Sequence, residues 1–249
     1  MKTRLDKLLA ERGLVPTRER AQAMILAGRV LVNEQKIDKP GHGVAADAEL
    51  RLLGDAPRYV SRGGLKLEGA LQHWQIDLTG RFCLDVGAST GGFTDCMLQH
   101  GAAKVLAVDT GYGQIAQALR SDPRVTLMER TNARLLQRGE LPAEISFLAM
   151  DVSFISATLV LPAVIGAMAR EEKQDGGLEA VVLIKPQFEA GREYVGKGGI
   201  VRDPEGHRLA VERVTECVEE LGGGEAEVID SPITGTEGNR EFLLHCRWR

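Results

Sequence analysis

Polar and charged side chains stand at the carboxyl ends of several apolar runs in this chain. A carboxylate at such a position can accept hydrogen bonds from the hydroxyl groups of a ligand. A lysine that is removed from water loses preference for its charged form and can act as a base. A site that combines these groups can bind a ligand and move a proton. The residues concerned are Asp85, Asp109, Asp151 and Lys185.

The elements that must position these side chains are short apolar runs that alternate with helical stretches. This alternation predicts an α/β fold with a mostly parallel, doubly wound sheet and helices on both faces. Ligands bind such sheets beyond the carboxyl ends of the strands, so the four side chains should converge on one edge. The strand-like runs are Phe82–Val86, Lys104–Asp109, Val125–Glu129, Ile145–Asp151, Ala180–Lys185 and Arg240–Trp248.

The loop after the first of these runs reads D-V-G-A-S-T-G-G-F, from Asp85 to Phe93. It lacks the G-x-G-x-x-G dinucleotide fingerprint and has instead the D-x-G-x-x-x-G-G form of the S-adenosylmethionine loop in class I methyltransferases, whose Rossmann-like sheet has seven strands. Asp109 closes the next run, where a carboxylate can accept from both ribose hydroxyls. Two carboxylates would repel a nucleotide phosphate but suit a sulfonium cation. A Rossmann turn that binds no ligand is the alternative.

The cofactor site is expected to extend to the segments after the third and fourth runs. Asn132 and Asp151 stand where an adenine can be hydrogen-bonded and the methyl group approached. The D/N-P-P-Y motif of some base methyltransferases is absent from residues 150–154, which disfavours methylation of a base amino group. The expected cofactor contacts are Asp85, Gly87, Ser89, Thr90, Gly91, Gly92, Phe93, Asp109, Asn132 and Asp151.

Four side chains are similar, in order and context, to the Lys-Asp-Lys-Glu tetrad of the FtsJ-like ribose 2′-O-methyltransferases. By default Lys66 would be a surface lysine, and most lysines at strand ends extend their charge to water. The resemblance implies that Lys185 takes the proton of a ribose hydroxyl, that Lys66 steadies the developing oxyanion, and that two carboxylates orient these groups. The candidate catalytic residues are Lys66, Asp151, Lys185 and Glu241.

The first 57 residues form a candidate RNA-binding module. Thr3 is expected to cap a first helix with Asp6 reaching back, Thr17 to cap a second helix, and Gly28 to close it. The pattern R-L-D-x-x-L…G-L…T-R-x-x-A…I-x-x-G-x-V-x-V-N…K-P resembles the αL-type RNA-binding domain of a small-subunit ribosomal protein. This resemblance implies recognition of RNA shape and backbone, whereas a solvated helix face is the alternative. The candidate RNA contacts are Arg4, Arg18, Arg20, Arg29, Lys36, Lys39 and Arg62.

The chain as a whole resembles the TlyA (hemolysin A) family. The shared segments are S-R-G-G-L-K-L, D-V-G-A-S-T-G-G-F-T, D-V-S-F-I-S, K-P-Q-F-E and G-K-G-G-I-V-R-D-P. The resemblance implies 2′-O-methylation of ribosomal RNA, commonly at cytidine, with ribosomal RNA or an assembled ribosomal subunit as the partner. With a turn at residues 54–57, it predicts an RNA-binding domain over 1–57, a linker and entry helix over 58–81, and a methyltransferase domain over 82–249.

Charge is distributed unevenly along the 249 residues, whose net charge is −4. Residues 1–60 carry 11 Lys and Arg against 8 Asp and Glu, and the remaining residues carry 20 against 27. A basic segment on an acidic body is expected when only one part of a protein grips phosphate. Chance on a small domain is the alternative explanation of so small an excess.

No segment of the sequence predicts export or membrane insertion. The charged first residues lack the apolar core of a signal peptide. The longest weakly polar run, residues 155–169, is shorter than the ~20 residues of a bilayer span and predicts a buried helix. The four cysteines show neither disulfide-like nor metal-like spacing, so a reducing cytoplasm without disulfides or metal is expected. A membrane-lytic protein and a non-catalytic RNA-binding protein on the methyltransferase scaffold are the alternatives to an enzyme.

Overall fold

The computed structural model describes residues 2–53, 57–168 and 177–248, and the chain forms two compact units. The first unit is Met1–Val60 and the second is Ser61–Arg249. Residues 54–56 of the expected turn lie outside the described residues. The expected domain boundary at residue 57 stays a prediction.

The first unit packs two helices against short strands. Its elements are strand β1 (Lys2–Arg4), helices α1 (Leu5–Glu11) and α2 (Arg18–Leu26), and strands β2 (Val30–Val32), β3 (Gln35–Lys36), β4 (Gly43–Ala45) and β5 (Leu50–Leu52). Strand β1 pairs antiparallel with β4, and β2 pairs antiparallel with both β3 and β5. Leu5, Leu9, Ile25 and Val30 are buried together in one cluster. The unit therefore has a hydrophobic core of its own.

The start of α1 differs from the sequence prediction. Thr3 lies in β1, and Arg4 at the N-cap makes no side-chain cap hydrogen bond, so the prediction that Thr3 caps the helix is wrong. The side chain of Asp6 is fully buried, and its carboxylate accepts hydrogen bonds from Arg4, Arg18 and Gln22 at 2.9 to 3.0 Å. A buried carboxylate needs several donors, and these side chains supply more than a local cap would.

The second helix begins and ends as predicted. The Thr17 hydroxyl accepts a hydrogen bond from the backbone N–H of Arg20 at 3.2 Å. Gly28, two residues beyond the last residue of α2, has a φ of +65°. This is the left-handed conformation that glycine supplies at helix ends.

The second unit is built on a seven-stranded sheet. Its strands are β6 (Phe82–Val86), β7 (Lys104–Val108), β8 (Val125–Met128), β9 (Phe147–Met150), β10 (Leu178–Ile184), β11 (Gly224–Asp230) and β12 (Phe242–Trp248). Their order in the sheet is β11-β12-β10-β9-β6-β7-β8. Strands β6 to β10 run parallel, and β12 is antiparallel to both β10 and β11. The predicted mostly parallel, seven-stranded sheet is confirmed.

Both faces of this sheet are covered. The helices are α3 (Gly63–His73), α4 (Gly92–Gln99), α5 (Gln117–Arg120), α6 (Leu161–Ala167), α7 (Pro186–Glu189) and α8 (Pro204–Glu220). Successive residues of a strand point to opposite faces. Leu84 packs in one cluster with Val164 of α6 and Val214 of α8. Cys83 and Asp85 point to the other face and are also fully buried.

The topology brings the expected site residues to one edge of the sheet. The parallel strands β6, β7, β9 and β10 end there, immediately before Gly87, Asp109, Asp151 and Lys185. Strand β12 runs in the opposite direction, and its register pairs Phe242 with Ile184. Glu241, which precedes β12, therefore reaches the same edge.

Two stretches of the second unit differ from the prediction. Strand β11 was not expected, because its sequence G-E-A-E-V-I-D is polar and lies at a partly exposed edge of the sheet. The run 155–169 is not one helix: a 3₁₀ turn at Ala157–Leu159 precedes α6, and Ala169 lies outside the described residues. Pro162 stands in the first turn of α6, where its missing N–H is tolerated. None of the helices formed by the described residues combines the length and hydropathy of a bilayer span.

Candidate functional site

Two adjoining cavities open at the carboxyl edge of the sheet in the second unit. The first cavity has a volume of about 580 Å³ and the second cavity about 430 Å³. All four candidate catalytic side chains line the first cavity, and the second runs toward the ends of β7 and β8. The residues that line both are Gly87, Ser89, Asp151, Ser153 and Phe154.

Lys185 and Asp151 form an ion pair where the two cavities meet. The distance between Lys185 Nζ and Asp151 Oδ1 is 2.5 Å, and the side chains are 10% and 20% exposed. The same ammonium group donates a hydrogen bond to Ser153 Oγ at 2.6 Å. Because β9 and β10 are neighbouring parallel strands, the residues that follow them are held side by side.

Lys66 and Glu241 form a second ion pair in the first cavity. The distance between Lys66 Nζ and Glu241 Oε2 is 2.5 Å. Lys66 lies in the first turn of α3 and is buried, unlike the surface lysine expected by default. Glycine at position 235 makes room for the carboxylate, since a Cβ there would lie 2.5 Å from Glu241 Oε1.

The two pairs place two ammonium groups and two carboxylates around one cavity. Their formal charges cancel, so the cavity can hold four ionised groups without a net charge. Such a set can orient a hydroxyl group, accept its proton and stabilise the oxygen as negative charge develops. The structure brings the four candidates together, and their individual roles stay a prediction.

The loop after β6 requires glycine at position 87. Gly87 has a φ of +86°, and a Cβ there would lie 2.3 Å from the backbone oxygen of Asp151. Any side chain would push the two segments apart. The predicted cofactor contacts of this loop that line the first cavity are Gly87, Ser89, Thr90, Gly92 and Phe93.

The second cavity is lined by acidic and neutral groups. Among the described residues that line it there is no lysine or arginine. Asp109 accepts hydrogen bonds from the backbone N–H groups of Ser89 at 2.8 Å and Gly111 at 2.6 Å. Asn132 Oδ1 accepts a hydrogen bond from the backbone N–H of Arg134 at 3.1 Å. This hydrogen bond uses the amide oxygen of Asn132 and not its amide nitrogen. Asp109 and Asn132, both predicted cofactor contacts, thus line the second cavity.

Asp85 and Gly91 do not belong to the part of either lining that the structure describes. Asp85 is fully buried, and its Oδ2 accepts a hydrogen bond from Thr94 Oγ1 at 2.6 Å. Burial raises the pKa of Asp85 to about 7, and the negative charges of Asp151 and Asp109 act in the same direction. Asp85 thus lies beneath the loop as a support, and its direct contact with a cofactor stays a prediction.

Phe154 belongs to the site but was not predicted from the sequence. This residue has a φ of +64° and is 93% exposed, and it lines both cavities. Its ring centroid lies 5.7 Å from that of Phe188. A bulky residue with positive φ is strained and persists where the surroundings impose it. The only available signal was an aromatic residue inside the D-V-S-F-I-S segment.

Six of the predicted RNA contacts lie in the first unit, where they differ in their surroundings. Arg4 and Arg18 are half-exposed but pair with Asp6, so part of their hydrogen-bonding capacity holds this unit together. The pKa of Asp6 lies well below its usual range, chiefly because of the hydrogen bonds from Arg4. The Lys36 stem lies over Gly28, where a Cβ would be 2.1 Å from Lys36 Cε. Lys39 is exposed.

The seventh predicted RNA contact belongs to the second unit. Arg62 precedes α3 and lines the first cavity. Its Nη2 donates a hydrogen bond to the backbone oxygen of Thr234 at 2.8 Å. Arg62 therefore belongs to a different unit from the other six candidates, and it stands beside the catalytic candidates.

Two family models match the chain. A model described as FtsJ-like methyltransferase matches residues 59–248, and a model described as S4 domain matches residues 3–50. These matches fall on the second and first units, respectively.

Similar proteins cover almost the whole chain. The 16S/23S rRNA (cytidine-2′-O)-methyltransferase TlyA of Mycobacterium tuberculosis is 43% identical over 247 residues, which are 99% of this chain and 90% of that protein. Hemolysin A of Brachyspira hyodysenteriae is 41% identical over 244 residues, or 97% and 98% of the two chains. A solved Streptococcus thermophilus structure, described as a candidate hemolysin, shows 44% identity and a TM-score of 0.73, covering 99% of this chain and 88% of that one.

Proposed function

Because this chain belongs to the FtsJ-like methyltransferase family, we propose that it transfers the methyl group of S-adenosylmethionine to the 2′-hydroxyl of a cytidine ribose in ribosomal RNA. The observation that carries this proposal is the convergence of the Lys66–Glu241 and Lys185–Asp151 pairs on one cavity. The name of the Mycobacterium tuberculosis relative supports the choice of RNA, of cytidine and of the 2′-oxygen.

The second cavity suits the adenosine part of the cofactor. Asp109 retains lone pairs for ribose hydroxyls, and Asn132 can present its amide to an adenine. A dinucleotide would bring phosphates to a surface where the described lining offers two aspartates and no cation. The cofactor supplies an electrophilic methyl group on a cationic sulfur, and a cation is compatible with Asp151 at the junction of the two cavities.

Lys185 is the residue that we expect to take the proton of the ribose hydroxyl. A hydroxyl is a poor nucleophile near neutral pH, so a base within hydrogen-bond reach is needed as the methyl group transfers. Lys185 must be neutral to accept a proton.

Lys66 and Glu241 are expected to hold the reacting oxygen. Lys66 provides a positive charge in a cavity partly shielded from water, where it stabilises developing negative charge more than it would in bulk solvent. Glu241 fixes the direction of the Lys66 ammonium group through the 2.5 Å contact. Ser153 similarly limits the position of Lys185.

Phe154 is suited to hold the base of the target nucleotide. Its ring is nearly fully exposed at the mouth of the first cavity, and Phe188 lies beside it. When a nucleotide is turned out of its stack, an aromatic side chain can replace the lost stacking. Such contacts are worth about 1 to 3 kcal/mol for each base.

The first unit is expected to supply affinity for RNA. The S4 domain match covers residues 3–50, and exposed basic residues of this unit, such as Lys36 and Lys39, can contact phosphates. Contacts of this kind position the substrate and carry little sequence information. Arg62, beside the catalytic candidates, can contact the backbone close to the target ribose.

The reaction product provides a chemical test of this function. Ribosomal subunits from cells that lack this protein would be incubated with it and with S-adenosylmethionine labelled in the methyl group. A 2′-O-methyl group protects the adjoining phosphodiester bond from alkali, so the label should appear in alkali-resistant dinucleotides that begin with cytidine. Label that is released as ordinary mononucleotides would show base methylation and would contradict the proposal.

A further inference from the structure

Glu189 is a buried carboxylate that the proposed reaction does not use directly. It stands at the end of α7 and is 5% exposed. Its Oε2 accepts a hydrogen bond from Ser156 Oγ at 2.5 Å, and its Oε1 accepts one from the backbone N–H of Ala157 at 2.7 Å. Burial raises the pKa of Glu189, and these two hydrogen bonds oppose the increase.

These contacts join the two chain segments that carry one of the ion pairs. Lys185 immediately precedes α7, and Glu189 is the last residue of that helix. Asp151 immediately follows β9, and Ser156 and Ala157 end the loop that begins there. The Glu189 carboxylate is therefore a cross-link between the segment of Lys185 and the segment of Asp151.

The cross-link is itself anchored and shaped by its neighbours. The backbone oxygen of Glu189 accepts a hydrogen bond from Arg213 Nη1 of α8 at 2.6 Å. Ser156 Oγ also accepts from the backbone N–H of Thr158 at 3.1 Å. The loop between these ends includes Phe154 with its strained φ of +64°, a conformation that needs fixed ends to persist.

We propose that Glu189 is a positioning residue for methyl transfer, which sets the distance between Lys185 and Asp151 and holds Phe154 beside Phe188. This inference rests on the proposed roles of Lys185 and Asp151. A carboxylate accepts from both donors at once, whereas an alanine leaves the Ala157 N–H buried without this acceptor and releases the Ser156 hydroxyl. The side chain at position 189 then makes no hydrogen bond between α7 and the loop that follows β9.

Three variants test the inference by steady-state kinetics on ribosomal subunits. Glu189→Ala should lower kcat roughly 10-fold to 100-fold, as misplacement of catalytic groups does. It should also raise the KM for RNA, because Phe154 is no longer held in place, with little change in calorimetric affinity for S-adenosylmethionine. Glu189→Gln should restore most of kcat, because its oxygen accepts from Ala157 and its NH₂ group can donate to the Ser156 oxygen. Ser156→Ala, which removes one of the two ties, should give an intermediate kcat.

Controls separate positioning from general stability. Glu216→Ala, at an exposed position of α8, should keep the kcat of the wild type. Combining Glu189→Ala with Lys185→Ala should lower kcat no further than Lys185→Ala alone, since both changes act on one group. Melting temperatures of all variants show whether each chain is folded under the assay conditions.

The outcomes separate this inference from the proposed function. A folded Glu189→Ala variant with the kcat of the wild type overturns the positioning role of Glu189. A Glu189→Gln variant whose kcat is no higher than that of Glu189→Ala overturns it as well. If Glu189→Ala does not fold, a folded Ser156→Ala variant with unchanged kcat overturns it, and a lowered kcat supports it. Full activity of Lys185→Ala would overturn the proposed role of the ion pair itself, and the positioning role with it.

Discussion

Lys185 and Glu241 directly adjoin two neighbouring strands, each one residue beyond the pair formed by Ile184 and Phe242. They can do so because β10 and β12 are antiparallel, so the carboxyl end of one strand meets the amino end of the other. Each belongs to a different ion pair, with Asp151 and Lys66 as partners. The register of the two strands thus brings both pairs to one cavity.

Substitution of Lys185 separates a base from a fixed positive charge. Lys185→Ala should lower single-turnover methyl transfer by roughly 10² to 10⁴, the usual contribution of a general base, with the fold and cofactor affinity nearly intact. Lys185→Arg should restore little activity, because a guanidinium group keeps its proton at working pH. If arginine restored most of the rate, the role of Lys185 would be electrostatic.

Gly87→Ala tests the close approach of the loop after β6 to Asp151. A Cβ at Gly87 would lie 2.3 Å from the Asp151 backbone oxygen, whereas the matched control Gly80 has a φ of +74° and open space around it. Gly80→Ala should cost about 1 to 2 kcal/mol of stability, the usual cost of a left-handed residue, and leave methyl transfer unchanged. Gly87→Ala should cost more and abolish most activity. Denaturant unfolding and methyl-transfer assays of both variants test this prediction. Equal losses of stability and activity in the two variants would contradict the steric argument.

Asp85→Asn should change the dependence of stability on pH. Burial raises the pKa of Asp85 from 3.8 to about 7, so between these values the folded chain holds a proton that the unfolded chain has released. The contribution of this group to stability therefore falls as the pH rises through this window. Asparagine does not titrate, so the stability of the variant relative to wild type should increase from pH 4 to pH 8, by at most about 4 kcal/mol.

Urea unfolding of wild type and Asp85→Asn at several pH values measures this difference. A difference between the two proteins that stays constant with pH would show that Asp85 titrates normally in the folded chain.

Arg18 and Lys39 should respond differently to substitution, although both are candidate RNA contacts. Arg18 pairs with the buried Asp6 at 2.9 Å, so Arg18→Ala should lower stability by about 1 to 3 kcal/mol, because a buried acceptor loses a charged donor. Lys39 is exposed, and Lys39→Ala should leave the melting temperature unchanged.

RNA binding as a function of salt completes this comparison. If Lys39 contacts a phosphate, Lys39→Ala should reduce the slope of log affinity against log salt by about 0.7 to 0.9. An unchanged slope would remove Lys39 from the RNA-binding surface.

The Brachyspira hyodysenteriae relative is named Hemolysin A, and membrane lysis is therefore an alternative activity to test. Lysis requires an apolar span or a strongly amphipathic basic helix, and the helices of the described residues provide no bilayer span. Because the chain belongs to the FtsJ-like methyltransferase family, we expect purified protein to release no dye from liposomes at micromolar concentration. Clear dye release by the native protein, with none by a heat-denatured control, would show that the chain is lytic and would contradict this prediction.

The parallel strands were predictable from sequence because each is a short apolar run that ends in a polar residue. The edge strand β11 was not, since its exposed side chains are polar. The start of α1 was assigned wrongly because the partners of Asp6 include Arg18 and Gln22, which come close only after the two helices pack. Capping rules consider only residues that are close in sequence, so they cannot predict such contacts.

The candidate catalytic residues were predictable from resemblance, but their contacts were not. No spacing in the sequence shows that Lys66 pairs with Glu241, because strand direction and register decide it. Asp85 was expected at the cofactor, and this contact stays a prediction; that its side chain is fully buried did not follow from the sequence. Phe154 and Glu189 escaped notice because their importance depends on a positive φ and on a cross-link between loops, which appear only in three dimensions.

The order in which the ribosome makes the chain gives the Lys66–Glu241 contact a further consequence. Residues 1–60 are synthesised before Glu241 and have their own core, whereas Glu241 is placed by a strand that inserts between β10 and β11. A nascent chain that is arrested before β12 therefore carries the core of the first unit but lacks Glu241, the partner of Lys66.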